Sequence, residues 1–146
     1  MQHYTTVEQS KNLVKLGLKL ESADMYYDLF NGDLLPQLVA LKLTDKHWMQ
    51  LYPELLMPCW SLGALIDLLP SSIRTGKGIQ NQYEVRIRKY QGENKEYLYQ
   101  IAYGNNRGLS EEWHDMINTA ERENLINAVL DMVCWLLKND YIKKGK

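Results

Sequence analysis

The residues with which chemistry would start are three histidines, two cysteines and a glycine-flanked lysine. His3, His47 and His114 are far apart, and none has the i, i+4 spacing that lets one helix face hold a metal. No metal site is expected. His114 stands beside Asp115 and close to Glu111 and Glu112, a grouping with acid-base capacity, but adjacent residues on a helix or a strand point apart. A solvated surface is the simpler reading. Cys59 and Cys134 lie in apolar stretches with no CxxC or Cys/His spacing and no neighbouring base to lower a thiol pKa, so they read as reduced core thiols. Gly76-Lys77-Gly78 lacks the spacing and the following Ser or Thr of a phosphate loop and precedes a strand pattern, which makes it a connector. No serine has a GxSxG context. No catalytic residue and no cofactor is assigned, and an enzyme is not expected.

One set of residues carries an alternative. Arg74, Lys77, Arg86 and Arg88 supply cations on and beside a strand pattern, and tyrosines interleaved with arginines on a sheet can stack bases and bind phosphates. Strand alternation separates them, however. Tyr83, Tyr97, Tyr99 and Tyr103 share a face with Val85 and Ile87, whereas Arg86 and Arg88 face the other way, with only Tyr90 as an aromatic neighbour. Core packing is the expectation for the tyrosines.

Charge points the same way. The 146 residues carry a formal net charge of -1 and a pI near 6.3, which gives no long-range attraction to polyanions. Hydrophobic residues at 45% and charged residues at 24% are ordinary for a globular chain, so one domain over 1–146 with one core is expected. Met-Gln-His-Tyr-Thr-Thr has no cationic start or apolar core, and the uncharged run from Leu55 to Ile66 is too short to span a bilayer. A cytoplasmic setting without membrane contact is expected.

The elements that position these residues can be read in part. Thr6-Val7-Glu8-Gln9 matches a capping box, Leu13, Val14 and Leu16 give a one-sided apolar face, and Gly17 followed by Leu18 predicts the stop of a helix over 7–16. Residues 18 to 57 read poorly. Asn31-Gly32-Asp33 is a turn signal, Gln37 to Leu43 fits a strand or a helical turn, and Trp48, Leu51, Tyr52, Leu55 and Leu56 recur at helical spacing interrupted by Pro53. Pro58 suits the first turn of a second helix whose stripe is Leu62, Leu65, Ile66 and Leu69 and whose stop is Pro70. A hairpin follows, with Gln91 to Lys95 as its loop and Tyr90 paired with Glu96, in this register or one shifted by an even step. Trp113, Asp115 and Ile117 suggest a third strand, against a helix start at Ser110-Glu111-Glu112.

The last helix carries a wide apolar face of Leu125, Val129, Met132, Val133, Leu136 and Leu137, broad enough to pack on two sides. Lys138 and Asn139 suit its end, Tyr141 and Ile142 fold back, and a mobile Lys-Lys-Gly-Lys tail follows. The segments Met57-Pro58-Cys59-Trp60 and Met132-Val133-Cys134-Trp135 read as the centre of the core. The expected class is α+β: N-terminal helices, then a two- or three-stranded antiparallel sheet covered by a C-terminal helix. With the third strand, the order from Pro58 onward is helix, three strands, helix, as in double-stranded RNA-binding modules and antitoxin-like domains, although Glu121-Arg122-Glu123 stands where the RNA-binding modules concentrate lysines.

Tyr4-Thr5-Thr6-Val7-Glu8-Gln9-Ser10, Ser22-Ala23-Asp24-Met25, Pro58-Cys59-Trp60-Ser61-Leu62-Gly63-Ala64-Leu65 and Cys134-Trp135-Leu136-Leu137 together carry a resemblance. The chain resembles a family of small uncharacterised proteins from prophage and other mobile regions of gut bacteria. That resemblance implies an accessory protein and supplies no catalytic residue. The sequence thus points to a non-enzymatic interaction module with an unknown protein partner. The disfavoured alternative is a nucleic-acid-binding accessory protein using Arg74, Lys77, Arg86 and Arg88.

Overall fold

The computed structural model describes residues 2–32, 35–38, 51–52, 55–107 and 112–145. The readings of 39–43, of the spacing through Trp48 and Pro53, and of 109–111 therefore lie outside the described residues.

Helix α1 (Val7–Lys15) forms where its caps dictate. Thr6 Oγ1 accepts from the Gln9 amide and Gln9 Oε1 accepts from the Thr6 amide, closing the capping box. At the other end Gly17 takes a positive φ of 92°, Leu18 N–H donates to Leu13 O and Gly17 N–H to Val14 O. This is the double bond of a Schellman stop, and it buries Leu18 against the core.

Two antiparallel sheets follow, the first ordered β2-β1-β3 from Met25–Asp28 (β1), Gln37–Leu38 (β2) and Leu56–Cys59 (β3). Pro58 is therefore in a strand and not in the first turn of a helix. The pairing explains how: Leu29 N–H donates to Leu55 O, Tyr27 pairs Met57 and Met25 pairs Cys59, so Pro58 opposite Tyr26 directs its missing donor away from β1. On that far side the chain start runs past, with Thr5 N–H on Trp60 O and the Trp60 N–H on Thr5 Oγ1. Cys59 and Trp60 are fully buried, and the indole N–H donates to Ser22 Oγ.

Helix α2 (Leu62–Leu68) begins one turn later than Pro58 suggests, because Ser61 is its cap. Ser61 Oγ accepts from the Ala64 amide while Asp24 accepts from both the Ser61 hydroxyl and its amide. Within the expected stripe Leu65 is fully buried.

The second sheet is ordered β4-β5-β6-β7, from Ser72–Arg74 (β4), Gln82–Gln91 (β5), Tyr97–Asn105 (β6) and His114–Asn118 (β7). The third strand of the sequence reading is present as β7, and β4 is an unanticipated fourth. The resulting helix, four strands, helix order departs from the three-strand RNA-binding topology. In the hairpin Val85 faces Tyr103 and Ile87 faces Ile101, two residues from the register that pairs Tyr90 with Glu96. The even step keeps the bulky side chains on one face. Its cause is the turn: Gly92 N–H donates to Glu96 O, Lys95 N–H donates to Gly92 O, and Lys95 adopts a positive φ of 65°, as in a three-residue hairpin loop.

Helix α3 (Leu125–Lys138) lies across β6 and against α2, the two-sided packing its broad apolar face requires. Ile126, Val129, Met132, Val133, Leu136 and Leu137 are buried with Trp60, Leu65, Ile101 and Tyr103. The Tyr103 hydroxyl, forced into this core, donates to Pro70 O. Cys134 and Trp135 are only half-buried on the helix flank, with Trp135 stacked on Tyr141 at 5.5 Å, so the second Cys-Trp pair is the edge of the core and not its centre. The tail folds onto α1, with Gly145 N–H on Gly17 O. The far end of the hairpin is uncovered: Ile87 is 46% and Tyr97 57% exposed, so core packing holds for Tyr103 but not for every tyrosine of that face. Among the described residues no helix is long and apolar enough to cross a membrane.

Candidate interaction face

The face of the second sheet turned away from α3 is built by an irregularity. Tyr103 pairs Ile117, but Gly104 pairs Asp115, which leaves Met116 as an extra residue on β7. A bulge of this kind shifts the alternation by one. Ile117 joins the core while Asp115 is swung onto the outer face beside Asn118 and Trp113, so the three residues that suggested the strand do not share one face. Gly104 makes the arrangement feasible: a Cβ there would collide with the His114 carbonyl oxygen and stand 2.8 Å from the Trp113 indole nitrogen.

Asp115 then collects four donors. Arg88 Nη1 and Nη2 reach its two oxygens at 2.7 and 2.6 Å, the Trp113 indole N–H donates at 2.7 Å and the Asn118 amide at 3.2 Å. The Arg88 guanidinium is the main reason the Asp115 carboxyl is held down to about 2, with the Trp113 and Asn118 donors adding to it against the opposing effect of burial. Arg88 is in turn pushed up by Asp115 and also donates to Gln100 Oε1 at 3.3 Å. Arg86 stacks its guanidinium 3.6 Å from the centroid of Trp113. Trp113 is thus the aromatic neighbour that alternation within the hairpin did not provide. At the strand end, the bond to Glu121 pushes Tyr90 up to about 12.

The four cations singled out from sequence do not converge. Arg88 and Arg86 sit in the cluster. Arg74 is on β4 beside Gln82, to which it donates at 3.3 Å, and Gln82 is six residues from Arg88 along β5, roughly 20 Å of strand. Lys77 is exposed in the connector, its carbonyl bonded to Asn81 Nδ2. Glu84 lies between the two groups. Sequence reasoning missed Trp113 and Asp115 as members of this face; the available signal was Gly104 inside an otherwise bulky strand, a mark of a bulge or close approach.

Chemically the cluster is saturated. A carboxylate that already accepts four hydrogen bonds and titrates near 2 has no capacity as a general base near neutrality. Burial pushes both thiols up, Cys59 and Cys134 alike, which disfavours the thiolate. Among the described residues no group of three His, Cys, Asp or Glu side chains could hold a metal ion. A second feature is apolar: a hollow of about 350 Å³ at the end of the first sheet, lined by Asp28, Phe30, Tyr52, Leu55 and Leu56. Comparison with protein-family models, curated proteins and solved structures finds no match to this chain.

Proposed function

We propose that this chain is a non-enzymatic, cytoplasmic interaction module whose outer sheet face binds another protein. The observation that supports this reading is the preset cluster of Arg88, Asp115, Trp113 and Arg86 on that face. Arg88 is committed to Asp115 in a bidentate pair, and the Arg86 guanidinium lies on the Trp113 ring. A nucleic-acid face needs unpaired cations following a phosphate track. A protein face instead concentrates Trp, Tyr and Arg in preset positions, which is the composition here. The resemblance drawn from the sequence sets this module among accessory proteins of mobile bacterial regions.

Titration of labelled duplex and single strand at physiological salt tests the reading. The expected result is association no tighter than nonspecific binding, on the order of 10⁻⁴ to 10⁻⁶ M. Submicromolar binding that weakens with salt and disappears in an Arg86→Glu, Arg88→Glu variant would replace it with nucleic-acid binding.

A further inference from the structure

The β5 strand is longer than the partner on its free side. Of its ten residues, Gln82 to Gln91, those from Glu84 to Gln91 pair with β6, yet β4 covers only Gln82 to Glu84. The direction of the backbone groups on the remainder follows from two bonds. Gly92 N–H reaches Glu96 O across the hairpin, so the even-numbered residues of β5 bond to β6, and Val85 N–H reaches Ser71 O on the β4 side. Ile87 and Lys89 therefore point N–H and C=O outward, where among the described residues no strand meets them.

We propose that this open edge of β5, from Arg86 to Gln91, receives an extended acidic segment of a partner protein as an added strand. The proposal rests on the protein-interaction reading and names the partner's chemistry. Strand addition supplies main-chain hydrogen bonds, and alternate side chains then set specificity. Here the inner side offers Ile87, 46% exposed beyond the reach of α3, and Lys89, whose ammonium lies 4.4 Å from the Tyr97 ring centroid. The outer side offers Arg86. Neither Arg86 nor Lys89 forms an ion pair among the described residues, in contrast to Arg88. An apolar residue opposite Ile87 and acidic residues opposite the cations fit both sides.

Charge also argues against a second copy of this chain. Every two-fold antiparallel register that bonds the outward groups of Ile87 and Lys89 opposes like charges: Arg86 to Arg88, Arg88 to itself, or Lys89 to itself. Cations on an exposed edge are a common means of preventing self-pairing. An acidic strand turns the same cations into attraction.

The test uses the full chain and synthetic peptides of about eight residues, within the usual strand range. The probe is an alternating Glu-Val peptide; the controls are a Lys-Val peptide and a Glu-Gly peptide of equal charge. The Glu-Val peptide is expected to bind at least about tenfold more tightly than either control. It should slow hydrogen exchange at the Ile87 and Lys89 amides while leaving Arg86 and Arg88, already bonded to β6, unchanged. Ile87→Pro removes the outward donor without touching the β6 ladder and should abolish binding, and Lys89→Glu should weaken it. Equal binding of Glu-Val and Glu-Gly peptides, or binding undiminished in Ile87→Pro, would reduce the effect to charge attraction and overturn strand addition. Binding of no peptide, or dimerisation of the chain through this edge, would overturn it as well. Either failure without nucleic-acid binding through Arg86 and Arg88 leaves the interaction-module reading standing; such nucleic-acid binding sinks that reading on its own.

Discussion

Replacing Asp115 by Asn separates the cluster's electrostatics from its shape. The substitution keeps the size of the side chain and removes the charge that draws Arg88, Trp113 and Asn118 together. Holding a carboxyl at about 2 instead of its ordinary value near 3.9 corresponds to at most ~2.5 kcal/mol. The pair is partly open to solvent, with side chains 30% and 20% exposed, and screening reduces the figure to ~1 to 2 kcal/mol. For a chain of this length that is a fall in Tm of about 3 to 8 °C. The sign with pH is fixed by linkage. A depressed carboxyl stabilises the fold fully above its unfolded value and loses that contribution as pH falls through the folded one. Urea melts of both proteins should therefore differ most near neutrality and draw together progressively as pH falls from about 4 toward about 2, and one indole N–H resonance should shift in the variant. A difference below ~0.3 kcal/mol at pH 7, or one that stays constant down to pH 2.5, would refute the assignment.

Other consequences follow from packing. Gly104→Ala should destabilise by at least about 1 to 3 kcal/mol in thermal melts, because the added methyl meets the His114 carbonyl and the Trp113 ring; a neutral effect would show that the bulge yields freely. A bulky thiol reagent should modify half-buried Cys134 well before fully buried Cys59, and equal rates would contradict the burial assigned here. Trp60→Ala should cost about 3 to 5 kcal/mol in denaturant melts and Trp135→Ala distinctly less, since only the first indole is wholly enclosed; the reverse order would move the core to the helix flank.

The legible parts of the fold are those set by local chemistry. Thr6 with Gln9 and Gly17 with Leu18 bound α1 because each cap is a bond between near neighbours. The hairpin and α3 could be read from alternation and an apolar face. Pro58 misled because its missing N–H suits two situations, a helix first turn and a strand edge, and only the distant β1 and the chain start decide between them. Met25–Asp28 lacks alternation, and the three residues of β4 are too short to show any. The face itself was half legible. Arg86 and Arg88 could be placed outward, but their partners Trp113 and Asp115 come from a strand whose period breaks at a bulge, where simple alternation does not tell which face a residue joins.

The central claim is that the outer face of the second sheet meets a protein, and site-specific photo-crosslinking in living cells tests it most directly. A photoreactive residue at Asn118, exposed beside the cluster, is compared with one at Glu8 on the exposed side of α1. The expected result is a discrete adduct from position 118 that protease destroys and nuclease leaves intact, absent from position 8 and diminished by Trp113→Ala. A nuclease-sensitive adduct from position 118, or identical adducts from both positions, would contradict the account.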